Sequence, residues 1–202
     1  GGKGGNQALA AAKAGAKVHM VGAVGKDGLG DIAMAGLIAA GVDTSAVTQN
    51  LKPTGTAAIN VDALGENAIT VSSGANLEAT GKSLDATQLN SQTILLLQME
   101  VSMSAMADLI QRCRDVVANI VWNLAPMQSI ELAVLKQVDY LIVNEGELAQ
   151  LHVELFNGSN SADSSSTSTE QQAQDVVALT GQSVVVTLGA GGTVAVLSLI
   201  HI

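Results

Sequence analysis

Hydrophobic positions along the chain change period repeatedly, and the change predicts an alternation of strands and helices. Short apolar runs of the kind found in buried strands occur at 17–24, 93–98, 119–122, 139–143 and 183–186. Helical periodicity covers the segments 5–14, 29–40, 103–117, 129–137, 145–155 and 170–180. Strands that alternate with helices indicate an α/β fold, in which a mostly parallel sheet carries helices on both faces as a three-layer α/β/α arrangement.

Two segments interrupt this order. Residues 54–61 and 68–72 have strand character and are joined by the turn Gly65-Glu66-Asn67, which predicts a hairpin over 54–72. The hairpin comes early, between helical units, so we expect it to cover one end of the sheet as a small β lid. Residues 157–169 are a low-complexity run of Ser, Thr, Asn, Gly, Ala and Asp, for which we expect a mobile surface loop.

Composition narrows the class of protein. The chain has 202 residues, of which 48% are hydrophobic but only 1% aromatic, so its core is built from Ala, Val, Leu, Ile and Met. A net charge of −9 argues against a nucleic-acid partner. The single cysteine, Cys113, excludes an internal disulfide. With no apolar run of membrane-spanning length and no visible signal peptide, we expect a cytoplasmic protein without a membrane partner.

The first candidate site is the opening turn Gly1-Gly2-Lys3-Gly4-Gly5-Asn6, which precedes an alanine-rich helix. Glycines let a ligand approach the backbone closely, and the N–H groups of the helix point toward the same place. The pattern suits a polar, oxygen-rich ligand. It matches neither a Walker loop, which needs Ser or Thr after Gly-Lys, nor a dinucleotide fingerprint. A flexible terminal turn is the alternative.

The second candidate site follows the carboxyl ends of the predicted core strands. Polar residues stand there at Glu100, Asn123, Asn144 and Thr187. Ligands of open parallel sheets bind at this rim. Each residue also has a structural interpretation: Glu100 as a helix-start carboxylate, Asn123 as a turn residue, Asn144 with Glu147 as a capping box, and 187–192 as a hairpin turn into 193–196.

Taken together, these motifs resemble the ribokinase family of carbohydrate kinases. The opening Gly-Gly-Lys-Gly-Gly-Asn-Gln-Ala is similar to the family's sugar-binding signature, with Gly5 where Ala is usual. The resemblance continues, in order, through Thr54-Gly55, Gly65-Glu66-Asn67, Gly74-Ala75-Asn76, Asn123-Leu124-Ala125-Pro126, Asn144-Glu145-Gly146-Glu147 and Thr187-Leu188-Gly189-Ala190-Gly191-Gly192.

The resemblance implies a role for each motif. Sugar hydroxyls would be held by Gly2, Lys3, Gly4, Gly5, Asn6 and Glu100. The nucleotide ATP would be held by Asn144, Thr187, Leu188, Gly189, Ala190, Gly191 and Gly192. Glu147 would help to place Mg²⁺ through water, because Mg²⁺ keeps much of its hydration. The family also implies a possible requirement for a monovalent cation such as K⁺, and a homodimer formed through the lid.

The implied activity is phosphorylation of a pentose by ATP, with D-ribose converted to D-ribose 5-phosphate. Gly-Gly-Lys-Gly favours ribose over the substrates of related kinases. Two alternatives stay open at this point: a kinase of the same fold that acts on another sugar or a nucleoside, and a non-catalytic module that binds a sugar or a nucleotide.

The chain departs from the family at its ends. The Gly-Ala-Gly-Asp motif, whose Asp is the family's catalytic base, does not occur in the 202 residues, and the family's first strand would precede Gly1. We therefore expect a fragment, 1–196, that lacks both termini and is inactive by itself. The last six residues, 197–202, are those that CTG-TCT-CTT-ATA-CAC-ATC of a transposon adaptor encodes, so we expect a non-native tail; an ordinary apolar strand end is the alternative.

Overall fold

The computed structural model describes residues 2–62, 67–117, 119–156 and 167–198. The chain divides into two compact units. Unit 1 comprises Gly1–Gln88 and Glu100–Met106, and unit 2 comprises Leu89–Met99 and Ala107–Ile202. Residues 63–66, which include Gly65 and Glu66 of the predicted turn, lie outside the described residues, as do most of the low-complexity segment (157–166) and the end of the tail (199–202). Asn67, the third predicted turn residue, begins a strand.

Unit 1 begins with an α/β arrangement. Its elements are α1 (Gly2–Lys13), β1 (Gly22–Gly25), α2 (Gly28–Ala39) and β2 (Val47–Asn50), and β1 pairs with β2 in parallel. Small and branched side chains form its core: Ala8, Leu37 and Val42 are buried together, with Leu9 and Val18 packed against them. The helix–strand order at the start of the chain is confirmed.

The rest of unit 1 is the predicted hairpin and the turns that follow it. Strands β3 (Thr56–Val61) and β4 (Asn67–Ser72) pair antiparallel, with Ile59 opposite Ile69. Short 3₁₀ turns follow at Gly74–Glu78, Gly81–Ser83 and Ala86–Gln88. The first of these turns supplies Ala75, which is fully buried against Ala23 of β1 and Ala79.

Unit 2 contains the main sheet. Strands β5 (Ile94–Leu97), β6 (Asn119–Asn123), β7 (Tyr140–Asn144) and β8 (Ser183–Thr187) are parallel neighbours in that order, and β9 (Thr193–Val196) joins β8 antiparallel. The helices are α3 (Met103–Cys113), which starts in unit 1, then α4 (Leu132–Leu135), α5 (Glu145–Phe156) and α6 (Thr169–Thr180). Trp122 on β6 is completely buried in the core.

Several elements differ from the sequence prediction. The helices predicted over 103–117 and 129–137 are shorter, at Met103–Cys113 and Leu132–Leu135. The strand predicted from residue 17 begins only at Gly22, because residues 17–21 find a single bridge, His19 with Asp43, before β2 supplies a four-residue partner. Strand β2 itself was not predicted. Helix α6 begins at Thr169, inside the segment expected to be a loop, because the Ser168 hydroxyl accepts the Gln171 N–H as an N-cap.

The lengths of the helices show whether any of them could cross a membrane. Helices α1, α2, α5 and α6 have 12 residues each. A helix that spans a bilayer needs about 20 apolar residues. Within the part of the chain that the structure describes, no helix is long and apolar enough to cross a membrane.

Candidate functional site

The start of α1 brings together two distant parts of the sequence. The backbone N–H of Lys3 donates to Oε2 of Glu100 over 2.7 Å, across 97 residues of chain. Both residues belong to unit 1. A carboxylate at this position is favoured because the first N–H groups of a helix lack partners within the helix and carry partial positive charge. The glycine-rich motif and Glu100 therefore form one polar cluster.

Two features of position 2 require glycine: its backbone conformation and its close approach to Glu100. Its φ is +79°, a region that side chains other than glycine rarely adopt, and a Cβ there would lie 3.1 Å from Glu100 Oε2. Glycine at this position lets the carboxylate approach the backbone. A polar ligand that meets Glu100 would meet bare backbone beside it.

The structure corrects the expected local conformation of the motif. The sequence predicted that the glycine-rich segment 1–6 forms a turn and leads into a helix over 5–14. Instead α1 begins at Gly2, whose φ of +79° marks the entry to the helix, and Lys3, Gly4, Gly5 and Asn6 lie within it. The bond from Lys3 to Glu100 satisfies one donor of the first turn, which offsets part of the cost of helical glycine.

Gly5 and Asn6 stand further along the same helix. They line a groove of about 140 Å³ with residues of α1 and α2 that include Leu9, Ile32 and Gly36. A Cβ added at Gly5 would meet nothing within 4 Å. The alanine that is usual in the family would therefore also fit at position 5 without displacing its neighbours.

In unit 2, Asn144 and Glu147 form the reciprocal bonds of a capping box at the start of α5. The Glu147 N–H donates to Asn144 Oδ1 over 2.8 Å, and the Asn144 N–H donates to Glu147 Oε2 over 2.9 Å. The capping interpretation is thus confirmed. It leaves the Asn144 amide NH₂, which the cap does not use, on an exposed residue at the end of β7.

The glycine-rich segment lies on the next strand. Thr187 ends β8 directly opposite Asn144 in the parallel register. Gly189–Gly191 form a 3₁₀ turn, and Gly189 and Gly192 have φ values of +55° and +89°. Leu188 N–H donates to Gly192 O at 2.9 Å and β9 returns antiparallel, so the hairpin interpretation is confirmed as well. The turn is exposed and follows Thr187, the residue opposite Asn144; the N–H groups of Leu188, Gly191 and Gly192 donate within it.

The sequence placed Asn123 at the rim of the sheet, with a turn residue as its structural interpretation, and the structure makes it the last residue of a strand. It ends β6, beside β7, and its Oδ1 is buried without a hydrogen-bond partner among the described residues. A buried acceptor without a partner costs free energy unless a ligand or water supplies a donor. The ends of three adjacent strands in unit 2 thus carry Asn123, Asn144 and Thr187.

The donor set of this rim is compatible with hydrated Mg²⁺. It offers a carboxylate and amide oxygens, the ligand types that Mg²⁺ prefers. Among the residues that the structure describes, no group of three or more His, Cys, Asp or Glu side chains could hold a metal ion. The single carboxylate of Glu147 would suit an ion that keeps most of its waters.

Comparison with known proteins shows the family to which the chain belongs. The family profile of the pfkB family carbohydrate kinases matches residues 1–198. The ribokinase of Haemophilus influenzae is 34% identical over 197 residues, which are 95% of this chain and 61% of that protein. The chain therefore spans about three fifths of this curated relative.

Solved structures show the same fold. The ribokinase of Thermotoga maritima aligns with a TM-score of 0.83 and 30% identity, over 98% of this chain and 63% of that one. The ribokinase of Arabidopsis thaliana, solved with ribose and ATP, aligns with a TM-score of 0.78 and 28% identity, again over 98% of this chain and 63% of the other. The three-layer α/β fold predicted from the sequence is confirmed.

Proposed function

Because the chain belongs to the pfkB family of carbohydrate kinases, we propose that its full-length gene product transfers the terminal phosphoryl group of ATP to the primary hydroxyl of a pentose, with D-ribose as the substrate. The observation that carries this proposal is the bond between Lys3 N–H and the Glu100 carboxylate, which unites the sugar motif with a carboxylate 97 residues away. Relatives named ribokinase support the choice of ribose.

The residues divide into a sugar side and a nucleotide side. In unit 1, the Glu100 carboxylate accepts hydrogen bonds from sugar hydroxyls, and the Asn6 amide donates to one hydroxyl and accepts from another. Lys3, Gly2, Gly4 and Gly5 complete that side, with the glycines leaving room at the backbone.

On the nucleotide side, Asn144 and the segment 187–192 hold ATP in unit 2. The exposed amide of Asn144 and the N–H groups of the glycine turn are suited to phosphate oxygens. Glu147 holds Mg²⁺ through water, and the ion, when bound, offsets negative charge on the transferring phosphoryl group. The assay should include K⁺, since the family resemblance implies a monovalent cation.

A direct assay tests the proposal. The full-length gene product, purified from a host strain without ribokinase, should form ADP with ribose at a higher kcat/KM than with 2-deoxyribose, fructose or adenosine. If fructose or adenosine were phosphorylated fastest, that compound and not ribose would be the substrate. Sugar-independent ATP hydrolysis alone, or no turnover with any acceptor, would contradict a sugar kinase.

Replacing Asn144 by alanine tests the nucleotide side. The KM for ATP should rise about tenfold, because a hydrogen bond to a charged phosphate is lost, while the KM for ribose stays unchanged. Loss of the cap should also cost about 1 kcal/mol of unfolding free energy. Asn144→Ser keeps an acceptor for the Glu147 N–H and should restore stability but not ATP affinity.

Ser168→Ala is the matched control, since it removes the cap of α6 by the same mechanism. It should lower stability without affecting the KM for ATP. If Asn144→Ala and Ser168→Ala changed the two KM values alike, Asn144 would be a helix cap only.

We also propose that the hairpin is a lid and that it pairs with the lid of a second copy. One face of β3 and β4 carries Ile59, Val61, Ile69 and Val71, which are about 60% exposed, with relative accessibilities of 61%, 62%, 58% and 61%. The opposite face carries Ala58 across from Thr70. An apolar stripe on one face of a two-stranded ribbon suits a symmetric contact with the same ribbon of another molecule.

The dimer prediction has a control on the same hairpin. Ile59→Asp should convert a dimer of the full-length gene product to a monomer in light scattering, because a charge would be buried in an apolar contact. Thr70→Asp, on the other face, should leave the dimer intact. A dimer that survives Ile59→Asp would show that the stripe is not the interface.

A further inference from the structure

The base of the hairpin is tied to the turn between β1 and α2 by one carboxylate and one hydroxyl. Asp27 is the N-cap of α2, and its Oδ1 accepts the Gly30 N–H over 2.8 Å. The same side chain accepts two bonds from Thr54: the hydroxyl donates to Oδ1 over 2.6 Å, and the backbone N–H donates to Oδ2 over 2.9 Å. The Thr54 Oγ1 in turn accepts the Gly25 N–H over 2.9 Å.

This network is more than a helix cap. Thr54 is only 8% exposed and stands two residues before β3, where the chain enters the hairpin. Its hydroxyl both donates and accepts, so it joins the end of β1, the start of α2 and the first leg of the hairpin. The hydrogen bond from the Thr54 hydroxyl is also the largest of the causes that hold the pKa of Asp27 below its usual value.

The second leg of the hairpin is fixed to the first at the same level. Ala75 N–H donates to Pro53 O over 2.8 Å. A Cβ at Gly55 would lie 2.7 Å from Ser73 O, so the two legs run backbone against backbone. Lys52 and Glu78 form an ion pair across the legs.

The strands beyond this level are different. Every described side chain of β3, and of β4 from Ala68 to Ser72, is exposed. The hairpin therefore has a densely connected base and a sparsely connected body. We therefore expect motion in the exposed strands β3 and β4 and not at the base of the hairpin.

We propose that Asp27 and Thr54 are positioning residues, which anchor the base of the lid to β1 and α2 and thereby set the affinity for the sugar without touching it. The inference rests on the proposed function, because it takes the hairpin as the lid of a sugar kinase. Neither residue is among those assigned to sugar, nucleotide or metal.

The test compares three variants of the full-length gene product. Thr54→Val removes the hydroxyl but keeps the shape, so Asp27 loses a donor and the Gly25 N–H loses its acceptor. Thr54→Ser keeps both bonds. Thr180→Val is the matched control, since Thr180 is a buried threonine of unit 2 whose hydroxyl donates to Val176 O over 2.6 Å.

Two measurements are made on each variant. Thr54→Val should raise the KM for ribose about tenfold, the size expected for one lost charge-assisted bond, with the KM for ATP unchanged. It should also speed hydrogen exchange of the β3 and β4 amides. Thr54→Ser should behave as the wild type. Thr180→Val should lower the melting temperature without changing ribose KM or hairpin exchange.

A second variant covers the case in which Thr54→Val does not fold. Asp27→Asn keeps a good N-cap for α2, but it places an amide NH₂ against the Thr54 N–H, so it breaks the anchor at lower cost to the helix. It should raise ribose KM and hairpin exchange in the same way.

Each result has a separate meaning. Unchanged hairpin exchange in both anchor variants would overturn the anchor. Faster exchange with an unchanged ribose KM would overturn its influence on the sugar site. If the wild-type enzyme did not phosphorylate ribose, the proposed function and the effect on sugar affinity would both be wrong. Faster hairpin exchange in the two anchor variants would then still support the anchor as a structural feature.

Discussion

Replacing Glu100 by alanine is expected to lower kcat/KM for ribose by about 10- to 100-fold, because bonds of hydroxyls to a charged acceptor contribute about 1.5–3 kcal/mol each. The KM for ATP should stay within about twofold of the wild type, since Asn144 and the glycine turn belong to unit 2. Initial rates of the full-length gene product, with each substrate varied in turn, give both values.

The contact between Glu100 and Lys3 complicates this variant, because the carboxylate also supports α1. Glu100→Gln separates the two roles. An amide oxygen can still accept the Lys3 N–H, whereas its NH₂ then faces the sugar with a donor in place of an acceptor. We therefore expect a melting temperature close to wild type for Glu100→Gln, together with a substantial loss of kcat/KM for ribose.

A carboxylate elsewhere provides the comparison. Glu154 in unit 2 accepts the backbone N–H of Ile130 over 3.1 Å and the hydroxyl of Ser129 over 2.5 Å. Glu154→Ala removes an acceptor of a backbone N–H, as Glu100→Ala does, and should affect stability alone. Wild-type ribose kinetics in both Glu100→Ala and Glu100→Gln would refute the assignment of the sugar site and leave only the fold.

The arrangement of Asn144, Glu147 and Thr187 could be predicted from sequence because its signals are local. Asn144 and Glu147 are three residues apart, so a capping box is visible without tertiary information, and the structure contains it. The apolar runs before Asn144 and Thr187 also predicted neighbouring parallel strands, and the register places these two residues opposite each other. Interactions between residues that are close in sequence depend little on the tertiary structure.

The start of α1 could not be predicted in the same way. Four glycines in six residues favour a turn by propensity, yet Glu100, 97 residues away, accepts a donor of the first helical turn. The position of that carboxylate depends on the folded structure. Strand β2 was missed for a related reason, since its sequence Val-Thr-Gln-Asn has a weak pattern and becomes a strand by pairing with β1.

The hairpin base shows a third limit of sequence analysis. Thr54-Gly55 and Gly74-Ala75-Asn76 were recognised as motifs, but their spacing does not reveal that they pack against each other. The link from Thr54 to Asp27 spans 27 residues and consists of one bond from the hydroxyl and one from the backbone N–H of Thr54. Only the three-dimensional arrangement relates these motifs to one structural element, the base of the hairpin.

Gly25→Ala is expected to be the most destabilising single substitution considered for unit 1. A Cβ at Gly25 would lie 2.6 Å from Lys52 O, 2.6 Å from Thr54 N and 2.7 Å from Asp27 Oδ2. Two of these are backbone atoms of the hairpin base, so a side-chain rotation cannot relieve the overlap. Overpacking of this kind costs about 3 kcal/mol or more, because backbone must shift.

Thermal unfolding of the full-length gene product checks this expectation, and Gly36→Ala is its control. A loss of about 3 kcal/mol corresponds to a fall in Tm of about 6–12 °C for a domain of this size. Gly36 lies within α2, where an added Cβ would meet nothing within 4 Å, so alanine there should be neutral or stabilise by up to about 1 kcal/mol. Equal Tm values for the two variants would contradict the close approach of β1 to the hairpin base, since the same methyl group is added in both and only the space around it differs.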